Sequence, residues 1–145
     1  IGPILNRKQI TVNYRTDRKK KKKRIFESDF DSIIYNLIIN SIESFEETQE
    51  VSRAINISIE TNDSFVIHYM DNGHGLSEAF LKSPYNIFEY GTTSKFDAEG
   101  NQIGTGLGMY IVASSISEYN GRYTITKVEN GFGVDIFIPL EEDTP

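Results

Sequence analysis

Phe65-Val66-Ile67-His68-Tyr69-Met70-Asp71-Asn72-Gly73-His74-Gly75-Leu76 passes without a break from a strand pattern into a glycine-rich loop. The first six residues are apolar on both faces, which predicts a central strand. A second glycine cluster, Gly104-Thr105-Gly106-Leu107-Gly108-Met109, stands directly before a helical pattern. Glycines let a backbone approach a ligand closely, and a helix start offers free N–H groups, so the second loop suits phosphate. Neither loop fits the common phosphate motifs. No G-x-x-x-x-G-K-[ST] run exists, and Met109 stands where G-x-G-x-x-G needs its third glycine.

Outward from these loops, Gln9 to Tyr14 alternates as a strand, and Arg24 to Glu27 reads as a short second one. Ser28 or Asp29 is placed to cap a helix from about Phe30 to Glu47. Ile33, Ile34, Leu37, Ile38, Ile42 and Phe45 form its apolar stripe. Ile55, Ile57 and Ile59 mark a strand before the central one. From Ser77 to Ile103 the pattern dissolves, as expected of a lid. A second helix is predicted from Gly106 to Tyr119, with Leu107, Tyr110, Ile111 and Ile116 inward and Gly121 ending it in the left-handed conformation. Arg122–Val128 and Gly133–Leu140 complete a hairpin. The order β-β-α-β-β-lid-α-β-β predicts an α+β fold: a two-layer α/β sandwich with a mixed, mostly antiparallel sheet and helices on one face.

The chain has 145 residues. That length predicts a single domain over 1–145, and the start at Ile1 suggests a piece of a longer protein. Without cysteine, thiolate metal sites, disulfides and cysteine nucleophiles are excluded. No apolar run is long enough to span a bilayer, so no membrane contact and a cytoplasmic setting are expected, including the cytosolic part of a membrane receptor. The net charge is −6, but residues 15–24 carry +7 and the remainder −13. Lys19 to Lys23 lacks interleaved aromatics and the rest would repel phosphate polymers, so a solvated turn is expected and nucleic acid is not.

On the first helix, Asn36, Asn40 and Glu43 share one face beside the apolar stripe. Asparagine is costly inside a helix, yet its amide oxygen is a neutral hard ligand suited to Mg²⁺. Taken in order, these pieces resemble the GHKL ATPase superfamily of gyrase B, ninety-kilodalton heat-shock chaperones, histidine kinases and mismatch-repair ATPases. Asn36-Leu37-Ile38-Ile39-Asn40-Ser41-Ile42 looks like the N box and Asp71-x-Gly73-x-Gly75 like the G1 box. Ile87 to Lys95 looks like the F box and lid motif, and Gly104-Thr105-Gly106-Leu107-Gly108 like the G2 box.

The resemblance implies a Bergerat-type fold with an ATP lid over about 77–103, and ATP with Mg²⁺ as cofactors. It implies that Asp71 accepts a hydrogen bond from the adenine amino group, with Gly73 and Gly75 giving the base room. Asn40 would bind the metal. Gly104, Thr105, Gly106, Leu107 and Gly108 would present N–H groups to the phosphates, and Lys95 with Thr92 and Thr93 would reach the outer phosphate. In hydrolysing members a glutamate one turn before the metal asparagine activates water. Here that residue is Asn36, whose amide cannot take a proton. This is similar to histidine kinases, and implies transfer of the γ-phosphoryl group to a histidine on a separate dimerisation domain. That domain, ATP or ADP, and a response regulator are the implied partners. Three features depart from the pattern. The histidines here, His68 in a core strand and His74 in the first loop, are not placed as acceptors, Glu43 stands where many kinases carry lysine, and Val134 replaces a small hydroxyl residue. The alternative is an ATPase or nucleotide-gated dimerisation switch without phosphotransfer.

Overall fold

A computed structural model describes residues 2–16, 27–46, 52–61, 63–91 and 107–139, with side chains at 6 and 7 excepted. Helix α1 (Gly2–Arg7) leads into β1 (Ile10–Thr16). Helix α2 (Glu27–Glu46) precedes β2 (Arg53–Thr61) and β3 (Ser64–Asp71). A short α3 (Glu78–Leu81) and a 3₁₀ turn (Pro84–Phe88) follow, then α4 (Gly108–Glu118), β4 (Arg122–Lys127) and β5 (Gly133–Pro139).

The strands form one sheet in the order β1-β2-β3-β5-β4. Strands β1 and β2 are parallel, and the other pairs are antiparallel. A parallel pair needs a long crossover, and α2 lies within the connection that makes it. Alternation along the strands decides which face is covered. Ile55, Ile57 and Ile59 of β2, Phe65, Ile67 and Tyr69 of β3, and Val134, Ile136 and Ile138 of β5 are buried. They meet Ile33, Leu37, Ile38, Ile42 and Phe45 of α2, and Val112 and Ile116 of α4, in one apolar cluster. The two-layer mixed α/β architecture expected from the sequence is the one found, with β3 in the middle of the sheet.

Several expected details are corrected. Glu27 is helical, so it does not end a strand, and Ser28 and Asp29 lie inside the first turn of α2 rather than capping it; residues 24–26 lie outside the described residues. The segment 77–91 is not patternless: α3 and the 3₁₀ turn fold onto the body because Ile87 and Phe88 are buried. The Phe88 ring lies 4.3 Å from that of Tyr123, and the Ile125 N–H donates to the Tyr85 hydroxyl (3.0 Å). On α4, Met109, Val112 and Ile116 point inward, whereas Tyr110 and Ile111 are exposed. The left-handed residue after α4 is Asn120 (φ 55°), not Gly121. Gly121 is required for space instead, since a β-carbon there would lie 2.7 Å from the Phe137 carbonyl oxygen. His68 belongs to β3 but faces away from the helices. Its Nδ1 is 2.8 Å from Asp135 Oδ1 and its Nε2 3.8 Å from Glu60 Oε2.

Candidate functional site

Asp71 closes β3 on the helix-covered side and is only 2% exposed. The Gly73 and Phe132 N–H groups donate to its Oδ1 at 2.9 and 3.0 Å. The Ser41 hydroxyl of α2 donates to its Oδ2 at 2.6 Å. Ser41 Oγ is also 2.5 Å from the Tyr69 hydroxyl, which donates to the Leu37 carbonyl oxygen at 2.9 Å. Two hydroxyl protons therefore serve three close oxygen–oxygen contacts. Burial raises the Tyr69 phenol above its ordinary range; the Ser41 hydrogen bond opposes this and the Asp71 charge adds to it.

The loop after Asp71 is shaped by close approach. A β-carbon at Gly73 would lie 2.2 Å from Ser44 Oγ, which accepts the His74 N–H at 3.1 Å. Gly75 has φ +83°, a conformation costly for any other residue, and a β-carbon there would meet the Val128 carbonyl oxygen at 2.2 Å. The Leu76 N–H donates to that same oxygen (2.8 Å), which ties the loop to the β4–β5 hairpin.

Asn36 and Asn40 lie on α2, on the same side of the sheet as Asp71, and Asn40 precedes the Ser41 that touches it. Asn36 Nδ2 donates to the Ser32 carbonyl oxygen at 2.8 Å. Its Oδ1 faces the start of α4, because a β-carbon at Gly108 would lie 3.2 Å away. Asn40 is half-buried. Glu43 is exposed and Val134 is buried. The structure thus brings Asp71 and Gly73 against α2 through Ser41 and Ser44, and Gly108 against Asn36 of the same helix, while Gly75 sits against the β4–β5 hairpin. Thr92, Thr93, Lys95, Gly104, Thr105 and Gly106 lie outside the described residues.

Sequence reasoning missed Ser41, Tyr69, Ser44 and the Phe132 N–H. Ser41 left one trace, a small hydroxyl beside Ile38 and Ile42 in an apolar stripe. A groove of about 580 Å³ lies on the opposite face of the sheet, lined by Asn13, Asn56, His68, Met70 and Asp135 among others. Neither Asp71 nor the loop glycines line it. No helix of the described residues is long and apolar enough to cross a membrane.

The sequence profile of the family described as "Histidine kinase-, DNA gyrase B-, and HSP90-like ATPase" matches residues 26–142. A probable C4-dicarboxylate sensor kinase of Bacillus subtilis is 30% identical over 115 residues, covering 78% of this chain and 20% of that protein. One from Halalkalibacterium halodurans is 27% identical over 113 residues, covering 77% and 20%. The chain therefore spans about a fifth of the length of these curated relatives. The nucleotide-free catalytic domain of histidine kinase ThkA is similar in fold, with TM-score 0.73 at 22% identity over 95% of this chain and 85% of that one. Full-length ShkA in complex with AMPPNP gives TM-score 0.69 at 17% identity over 94% of this chain and 27% of that one.

Proposed function

Since this chain belongs to the family of histidine kinase-, DNA gyrase B- and HSP90-like ATPases, we propose that it is the Mg-ATP-binding catalytic domain of a sensor histidine kinase. It transfers the γ-phosphoryl group to a histidine on a separate dimerisation domain of its parent. The supporting observation is the placement of Asp71 and α2, which carries Asn36 and Asn40, on one side of the sheet, with Ser41, next to Asn40 in the chain, bonded to Asp71.

Asp71 accepts the adenine amino group. Its Oδ1 is already held by two backbone N–H groups, so Oδ2 is the oxygen with a free acceptor position. Gly73 and Gly75 leave the base room against the strand end. The start of α4 at Gly108 is assigned to the phosphates, since a helix N-terminus offers backbone N–H groups and the positive end of the helix dipole. By resemblance to the family, Lys95, Thr92 and Thr93 are assigned to the outer phosphate, and Gly104, Thr105, Gly106 and Leu107 to the phosphates through their backbone N–H groups.

The donor set fits Mg²⁺ carried in with the nucleotide. Among the described residues no cluster of three or more His, Asp or Glu forms a self-sufficient cage. Asn40 supplies a neutral amide oxygen, and Mg²⁺ takes few protein ligands alongside phosphate oxygens and water. When bound, the metal neutralises phosphate charge. Asn36 offers no base, and its amide is engaged with Ser32. Water is therefore not activated at that position, which spares the phosphoryl group for an imidazole.

The full-length parent, incubated with ATP labelled on the γ-phosphate, tests this. Acid-labile label on a histidine outside these 145 residues is expected. ATP turnover without protein label would favour the hydrolase or switch reading instead.

A further inference from the structure

We propose that Ser41 is a positioning residue that sets the base selectivity of this site by fixing the one open acceptor position on Asp71. The inference rests on the adenine reading of Asp71. The Ser41 hydroxyl is engaged with Asp71 and Tyr69, so it acts through the carboxylate.

An ionised carboxylate has about four acceptor positions. At Asp71 the Gly73 and Phe132 N–H groups fill both on Oδ1, at 2.9 and 3.0 Å. The Ser41 hydroxyl fills one on Oδ2, at 2.6 Å. One position is left, and Ser41 decides its direction. A group that only accepts, in one direction, matches a single N–H of a 6-aminopurine and repels the carbonyl of a 6-oxopurine. The Tyr69 hydroxyl, 2.5 Å from Ser41 Oγ, donates to the Leu37 carbonyl oxygen, so the Ser41 proton goes to Asp71 and that bond does not depend on the phenol.

Without the Ser41 hydroxyl, Oδ2 has two open positions. Water takes one of them, and a water molecule can donate to a 6-oxo group as readily as it accepts from a 6-amino group. Discrimination then narrows from both sides.

Calorimetric titration of the 145-residue chain with ADP and with IDP reads this directly. The wild type binds ADP more tightly than IDP. In Ser41→Ala, ADP affinity falls by about tenfold, the usual scale of a hydrogen bond to a charged group, while IDP affinity falls less or rises. The ADP-to-IDP ratio therefore shrinks. Tyr69→Phe leaves the Ser41–Asp71 bond in place and keeps the ratio near its wild-type value. If Ser41→Ala does not fold, Ser41→Cys keeps the shape with a weaker donor and reads the same ratio. A variant in which both affinities fall by one common factor, with the ratio unchanged, overturns the role of Ser41 and leaves the adenine reading standing. A wild type that binds ADP and IDP equally overturns the adenine reading itself, and the role of Ser41 with it.

Discussion

Replacing Asp71 by asparagine separates what the carboxylate does for the fold from what it does for a ligand. In Asp71→Asn the amide oxygen keeps the Gly73 and Phe132 N–H bonds at the Oδ1 position. The amide nitrogen takes the place of Oδ2 and donates to Ser41, whose proton turns to Tyr69, while Tyr69 donates to the Leu37 carbonyl oxygen. Every contact in the chain then has its own proton. The two backbone bonds lose charge assistance, about 1 kcal/mol each, and removal of a buried charge offsets this, so stability should change by less than about 2 kcal/mol. Asp71→Ala instead leaves two N–H groups and a hydroxyl facing a gap, at about 1–3 kcal/mol each. Binding should respond in the opposite order of sensitivity to charge. The second hydrogen of the introduced amide would point where an adenine N–H must come, donor against donor, at a cost of about 2 kcal/mol or about thirtyfold in ADP affinity. Urea unfolding of the three chains and calorimetry with ADP measure the two effects. Asn destabilising as much as Ala would refute the reversal of the hydrogen-bond chain. Unchanged ADP affinity would refute the contact between Asp71 and the base.

Asn40→Ala should abolish the Mg²⁺ dependence of ATP binding, and titrations with and without the metal that still differ would rule out Asn40 as its ligand. Gly75→Ala should lower stability by about 2–5 kcal/mol, from its φ of +83° and a contact 2.2 Å from the Val128 oxygen. Gly91→Ala, with φ +74° and no atom of the described residues within 4 Å of the added β-carbon, should cost the strain alone, about 1–2 kcal/mol, so equal unfolding midpoints would show that crowding at Gly75 is unimportant. Tyr69 has its pKa raised above the ordinary 10.0, so its contribution to stability is complete below that value and declines as pH rises past it. Wild type should therefore lose stability above about pH 10 more steeply than Tyr69→Phe, by up to about 1.4 kcal/mol per pH unit, and parallel slopes in denaturant unfolding would contradict this. Tyr123, also raised by burial and then by Tyr85, is common to both chains and cancels.

Most of the architecture is legible because strand alternation and glycine-rich loops are local signals. Ile55, Ile57 and Ile59 declare their face by period two, and Asp71 declares the strand end by the glycines after it. The errors arise where a tertiary contact chooses between locally equivalent options. On α4 two apolar stripes overlap, and only packing against the core selects Met109 and Val112 over Tyr110 and Ile111. Gly121 reads as the left-handed stop, but Asn120 takes that role and Gly121 answers to the approach of Phe137. Residues 84–88 lack helical period, yet two adjacent apolar residues suffice to dock them. Ser41 and Tyr69 are invisible as partners in the sequence because 28 residues separate them along the chain.

The amide of Phe132, from the far end of the sequence, grips the same carboxylate oxygen as Gly73. A gene fragment ending after α4 would encode all four of the quoted motifs and still deliver a half-held aspartate on a strand paired along one edge only. The terminal hairpin carries no motif, yet for inherited change it is as exposed to loss of function as the glycine loops themselves.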